Sequence, residues 1–404
     1  AIQFVQSLVR AKLRPGYCKG RPRVWRRGVI LILLFFAGTT QLTTPYATRV
    51  LLLMPRIPLL AALVTTAVAL DGYPLHNAAF ENNVYELQAL VETLETENKT
   101  AALAELDDNG MTPLHLAAYA GQVDAILALA ELGSPLEART EGGGMTPLTW
   151  AAGHGHADAV RALLEAGAVS DAADDSKKTP LHYAAARGLV EVVEALVAGG
   201  ADLEALTENK ITPLQLAAER GETDALVALA SAGANLTAQA DDNRLAALHV
   251  AAAMGHDECI GALLAVGAPL EMKDAQGRTA LLVAASYGRI SALEALIGAG
   301  ANVKAVDESG RAALGLAASV GHLEVTERLI SSGVGGGADL EAVDASGRTA
   351  LGLAVHGGHI KVANALRAAG AVATEGEVEL LQLLQEVEVA EPSQGGEQQE
   401  KDEV

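Results

Sequence analysis

The phrase Thr112-Pro113-Leu114-His115 returns as Thr146-Pro147-Leu148, Thr179-Pro180-Leu181-His182 and Thr212-Pro213-Leu214, and this recurrence constrains the fold more than any other feature. Further copies centre on Leu248, Leu281, Leu314 and Leu351, with an earlier one on Leu75. The anchor leucines are separated by 39, 34, 33, 33, 34, 33, 33 and 37 residues. One supersecondary unit of that length cannot bury its apolar face alone, so neighbouring units must stack into a continuous core.

Each unit explains its own residues. Thr-Pro fits a helix start, because Thr caps free amides and Pro is tolerated in the first turn. Paired alanines such as Ala117-Ala118, Ala151-Ala152, Ala184-Ala185, Ala217-Ala218 and Ala284-Ala285 let the next helix approach closely. The first helix then ends at Gly121, Gly155, Gly188, Gly221, Gly255, Gly288, Gly321 or Gly358, with Asn82 holding that place in the first unit. Eight residues beyond each lies a core leucine of the second helix, from Leu90 and Leu129 to Leu366. A second glycine, from Gly133 to Gly370, ends that helix in all units but the first, and a polar turn such as Asp274-Ala275-Gln276-Gly277 follows.

These residues resemble the ankyrin repeat, whose Thr-Pro-Leu-His and Gly-Ala-Asp phrases stand here as Thr179–His182 and Gly200-Ala201-Asp202. The resemblance implies an all-α, ankyrin-repeat solenoid of about nine helix-turn-helix units with β-turn tips, covering residues 73–371. Thr-Pro weakens to Thr279-Ala280, Ala312-Ala313 and Thr349-Ala350, which leaves those helix starts less defined. Two insertions break the period, one of about six residues between Glu92 and Glu105 and one at Val334-Gly335-Gly336-Gly337; such insertions project as loops, or in the glycine-rich case form a slack joint. Arg367 replaces the aliphatic residue of earlier units, as expected of a C-terminal capping unit. Residues 372–404 read as a short helix that closes the stack or contacts a partner, with apolar spacing at Val378, Leu380, Leu381, Leu383, Leu384 and Val387, and then an acidic disordered tail.

Aromatics make up 3% of the chain, which suits closely stacked small helices. The net charge is −21, yet residues 1–70 carry ten Lys/Arg and no acid, so the rest carries 19 basic against 50 acidic residues. A domain at −31 repels phosphate backbones, and nucleic acid is not an expected partner. Cys18 and Cys259 alone offer neither a disulfide framework nor a thiolate cluster for zinc.

Residues 1–69 read as a targeting or hydrophobic segment. The chain begins at Ala1, as a fragment or a processed or mis-started product would, and its first methionine is Met54. Met54-Pro55-Arg56, the apolar stretch Ile57 to Thr66 and Ala67-Val68-Ala69 have the layout of a secretory signal over 54–69, cleaved after Ala69. A membrane anchor over 50–70, or wrongly spliced sequence before a cytosolic protein, are the alternatives. Membrane contact is expected only through this segment, and compartment follows from which reading holds. The run Val29 to Ala37 is too short to span a bilayer. In a luminal protein Asn98-Lys99-Thr100 and Asn235-Leu236-Thr237 become glycosylation candidates, the second better explained by the repeat itself.

The ankyrin resemblance implies a concave face, lined by turn tips and first helices, that holds a partner protein. The two positions before each helix-ending glycine face it: Tyr119, His154, Arg187, Glu219, Arg220, Met254, Ser286, Tyr287, Val320 and His356. Tyr119, Arg187 and Tyr287 are the leading anchors because binding energy concentrates in aromatic and Arg side chains. Trp150 is a reserve, expected to be half-buried. Lys177, Lys178, Lys210, Arg244, Arg278, Arg311 and Arg348 form a basic row at the tips. That row reads either as a cradle for an acidic partner or as local pairing with Asp174, Asp241, Asp274, Asp307 and Asp344.

Catalysis finds little support in the sequence: no phosphate-cradling glycine loop and no paired-histidine zinc phrase occurs, and an enzyme with an unrecognised site is discouraged by the absence of any polar cluster outside the repeat pattern. His76, His115, His182 and His249 recur one per unit and cannot converge on one metal, so they read as helix-start histidines. In Gly153-His154-Gly155-His156 the second histidine occupies a place repeated at His256, His322 and His359. The sequence thus predicts a monomeric, non-catalytic scaffold or adaptor without cofactor or metal. The alternative is a membrane-anchored regulatory subunit of a channel or enzyme.

Overall fold

The computed structural model describes residues 73–239, 242–332 and 339–390. The chain divides into two compact units, residues 1–71 and 72–404. The first lies outside the described residues, as do the readings placed on 1–69, the insertion at 334–337 and the tail from 391.

Among the described residues, nine helix pairs build the second unit. They are α1 (Pro74–Phe80) with α2 (Val84–Glu92), then, after α3 (Thr96–Leu103), α4 (Pro113–Ala120) with α5 (Val123–Glu131) and α6 (Pro147–Gly153) with α7 (Ala157–Glu165). The series continues with α8 (Pro180–Ala185) and α9 (Val190–Ala198), α10 (Pro213–Arg220) and α11 (Thr223–Ser231), α12 (Ala247–Met254) and α13 (Asp257–Ala265). It ends with α14 (Ala280–Ser286) and α15 (Ile290–Gly298), α16 (Ala313–Val320) and α17 (Leu323–Ser331), α18 (Ala350–His356) and α19 (Ile360–Ala368), followed by α20 (Glu375–Ala390). No strand forms among the described residues; a single isolated bridge joins Val306 and Ala312.

First helices stack on first helices and second on second along the series. Ala117, Ala118, Ala151, Ala152, Ala184, Ala185, Ala217 and Ala218 are fully buried in that seam, where a longer side chain would force the helices apart. The anchor leucines and second-helix leucines such as Leu129, Leu163 and Leu196 fill the space between the two rows. Each contributes about 1.5–3 kcal/mol by leaving water.

Local chemistry sets the helix limits. Thr112 sits in extended backbone with its hydroxyl accepting from the His115 amide, while the Thr112 amide donates to His115 Nδ1. Thr212 and Gln215 repeat the exchange. The weakened starts hold their helices all the same: extended backbone at Thr279, Ala312 and Thr349 leads directly into α14, α16 and α18. Every glycine predicted to end a first helix has positive φ, and Asn82 takes φ 56° in their place.

The tips are folded by their aspartates. Asp174 Oδ1 accepts from the Ser176 and Lys178 amides, and Asp274, Asp307 and Asp344 do the same two and four residues on. Successive tips then bond to one another, as in Glu208 N to Ser176 O at 3.0 Å and Glu308 N to Gln276 O at 3.0 Å.

One expectation is refined. The insertion between Glu92 and Glu105 is not a projecting loop but the short helix α3, whose Leu103 is buried. Beyond Arg367, α20 packs against α18 and α19 with Leu381 buried and closes the stack. Asn98 lies exposed on α3, whereas Asn235 turns its carbonyl onto the Thr237 amide and hydroxyl.

Candidate partner-binding surface

Most histidines are spent on the fold. His115 Nε2 donates to Met145 O at 3.0 Å, His182 Nε2 to Ile211 O at 3.1 Å and His249 Nε2 to Met272 O at 2.9 Å. His76 Nε2 reaches Glu105 O and Met111 O, both at 3.0 Å. Each carbonyl belongs to the next unit, so every ring ties two repeats together, and those of His115, His182 and His249 also accept from the amide at the start of their own helix. Burial pulls the pKa of His115 down to about 4, against the opposing carbonyls of Met145 and Ala138, and lowers those of His182 and His249.

A second set reaches backwards. His156, His256, His322 and His359 donate through Nε2 to the carbonyls of Tyr119, Glu219, Ser286 and Ser319, at 2.9, 3.1, 3.1 and 3.2 Å. A helix leaves its last carbonyls without intrahelical donors, and these rings supply one from the following unit. His154 Nδ1 donates to Trp150 O at 2.9 Å, so both histidines of Gly153-His154-Gly155-His156 are occupied. Among the described residues no three His, Cys, Asp or Glu side chains group as metal ligands would.

What remains outward is the row at the ends of the first helices. Tyr119, His154, Arg187, Arg220, Met254, Tyr287 and His356 are exposed, and Glu219 is half-buried. Met254 is 44% and Tyr287 52% accessible, unusual for side chains of that character on a chain so poor in aromatics. The structure brings only some of these together. Tyr119 meets His154 edge to face at 4.6 Å and Trp150 at 5.8 Å, while Trp150 stacks on His154 at 5.4 Å and 11°. Arg220 lies 3.8 Å from its neighbour Glu219. Met254, Tyr287 and His356 sit on separate units, the last bonding Gly352 O through Nδ1. Arg187 donates to the Gly153 carbonyl. It supplies the bond that Leu189, standing at the usual histidine place, cannot make.

The basic row divides. Arg278, Arg311 and Arg348 each pair with the aspartate four residues earlier at 2.8 Å, the local pairing reading. The Arg348 amide, and then its guanidinium, hold the Asp344 carboxyl below the usual carboxylate range. Lys210 pairs with Asp242, and Arg244 donates to Gln239. Unit four departs from this, and the sequence reading missed why. The Tyr183 hydroxyl donates to Asp174 Oδ2 at 2.6 Å and takes the place that arginine fills elsewhere. Burial, then this bond, raises the tyrosine's pKa. Lys178 lies instead over the Tyr183 ring, 5.9 Å from its centre. The only sequence signal was an aromatic at a position mostly held by aliphatic residues.

A pairwise stack of helix hairpins with hydrogen-bonded turn tips defines a repeat solenoid whose outward side chains form one long surface. The family model for ankyrin repeats in sets of three matches residues 57–140, 133–207, 187–274, 214–307 and 281–377, and the chain belongs to the ankyrin-repeat family. Repeats of this family generally mediate contact between proteins. The crystal structure of the human ASB11 ankyrin repeat domain is 30% identical over 55% of this chain and 96% of that chain, with a TM-score of 0.47. No curated protein matches the sequence. No helix among the described residues is long and apolar enough to cross a membrane.

Proposed function

We propose that the chain is a non-catalytic scaffold or adaptor that holds a partner protein on the row of first-helix ends from Tyr119 to His356. The observation that carries this reading is the division of labour among side chains. Histidines and tip aspartates of the repeat phrase are consumed by inter-unit and turn bonds. Tyr119, Met254 and Tyr287 instead stand in solvent at the first-helix ends of units two, six and seven, one or two residues before the helix-ending glycine, where burial against a partner gains the apolar area that folding left exposed.

A photo-crosslinking residue placed at Tyr287, and separately at Leu127 on the second-helix row, tests the proposal in the full chain expressed in its own cells. Both positions are exposed in the free protein, at 52% and 41%. A discrete protein adduct from position 287 and none from 127 is expected. Adducts from 127 alone would move the partner to the other row and overturn the assignment.

A further inference from the structure

We infer that the partner element recognised at units two to four is an extended acidic peptide segment, held by Lys177, Lys178 and Arg187 beside the Tyr119–Trp150–His154 rings. The inference rests on the protein-binding reading above and names the chemistry of its partner.

Charge placement carries the argument. In four other tips a cation is neutralised locally, Arg278, Arg311 and Arg348 by their own aspartates and Lys210 by Asp242, while among the described residues Arg244 reaches only the side-chain amide of Gln239. In unit four Tyr183 occupies Asp174, and none of Lys177, Lys178 and Arg187 makes an ion pair with a described residue. Three cations are thereby concentrated on one repeat of a strongly acidic domain. A long polyanion such as nucleic acid would have to lie along the acidic remainder, whereas a short acidic peptide can stay beside these three cations, where Asp174 is bonded to Tyr183 and Asp175 lies 3.9 Å from Arg139.

One further observation points to a ligand, and a second gives the cost of the lysine. Lys177 is held at φ 58°, in the left-handed place that Gly110, Gly277, Gly310 and Gly347 occupy in other units and that Lys210 and Arg244 share at φ 59° and 52°. A lysine there costs roughly 1 kcal/mol relative to glycine, and the fold itself gains nothing visible from its ammonium group. The Trp150 indole Nε1 is buried without an acceptor among the described residues. A peptide carbonyl reaching it past the Tyr119 and His154 rings satisfies that donor. The rings themselves offer a flat apolar seat for side chains alternating with the acids of an extended segment.

The test uses the full chain carrying Trp25→Phe, so that Trp150 is the one indole, titrated with a short synthetic peptide of alternating Glu and Leu. The matched Lys-Leu peptide and a single-stranded oligonucleotide serve as comparisons. Saturable change of Trp150 emission by the acidic peptide, weakening with salt and absent with the basic peptide, is expected. Lys177→Glu with Lys178→Glu should lower its affinity by about tenfold or more. Lys177→Gly removes the ammonium while relieving the backbone, so it should weaken binding while raising resistance to urea, an outcome no folding defect produces. No response to the acidic peptide, equal binding of the basic peptide or of the oligonucleotide, or unchanged affinity in the charge variants would overturn the inference. Crosslinking from Tyr287 would survive that outcome, so failure here is separable from failure of the scaffold reading.

Discussion

The Nε2 of His156 donates across 2.9 Å to the main-chain carbonyl of Tyr119, so a side chain of unit three secures the helix end that displays a candidate contact of unit two. His256 does the same for Glu219 and Arg289 for Ala253, whose successors in sequence are Arg220 and Met254. The outward row is therefore mounted on inter-repeat bonds, and its spacing depends on the stack being intact.

Close approach at this joint predicts an asymmetric cost of alanine. Gly121 has φ 69°, and a Cβ there would stand 2.7 Å from the His156 ring, whereas Gly133, at φ 90°, meets nothing within 4 Å. Gly133→Ala should cost about 1 kcal/mol of left-handed strain. Gly121→Ala should cost about 2 kcal/mol or more, because the His156 bond must also yield. Urea unfolding of the two full-length variants measures the difference.

The buried histidines predict acid sensitivity with a definite sign. His115 titrates near 4 when folded and near 6.5 when unfolded, so the unfolded chain binds the extra proton between those values. Stability is full above pH 6.5 and falls as pH drops towards 4, by about 3 kcal/mol for this group alone. His182 and His249 act in the same direction. Gln215 makes the corresponding bonds without a titrating group, accepting from Thr212 and donating to Leu245. His115→Gln should therefore keep most stability at neutral pH and flatten the decline, as followed by urea midpoints across pH.

The joint between units eight and nine should be open to improvement. Gly315 replaces the capping histidine inside α16 and is buried, and a Cβ there meets only Leu353 Cδ1 at 3.4 Å. Gly315→Ala should stabilise the chain by roughly 0.5–1 kcal/mol through helix propensity. Amide exchange in α16 should slow accordingly, with little change in α4.

Much of this was legible in the sequence because one stacking unit repeats its reasons. The positions of Leu129 and Leu163, the left-handed glycines and the structural use of His115 all follow from the period and from elementary capping chemistry. What stayed hidden depends on contacts between units. Glu137, Asp171, Glu204, Glu271 and Glu341 each accept from an amide of the following unit, at Val169, Asp202, Asn235, Asn302 and Val372, at 2.7–2.9 Å. Nothing in their local phrases distinguishes these carboxylates from solvated ones. The exchange of partners that gives Asp174 to Tyr183 and leaves Lys178 over the ring was equally invisible, since charge alone pairs Asp174 with lysine. The apolar spacing of residues 378–387 announced a helix able to close the stack, but not which leucines it would bury: docked on α18 and α19 it covers Leu381 and leaves Leu383 58% exposed.

Oxidative footprinting of the full chain, alone and with the protein that crosslinks to it, tests the central claim most directly. Tyr119, Met254 and Tyr287 report the first-helix ends, and Tyr85 and Leu127, also exposed, report the second-helix row. Protection of the first group with unchanged labelling of the second is the predicted result. Protection confined to Tyr85 and Leu127, with Tyr119, Met254 and Tyr287 labelled as in the free chain, would contradict it.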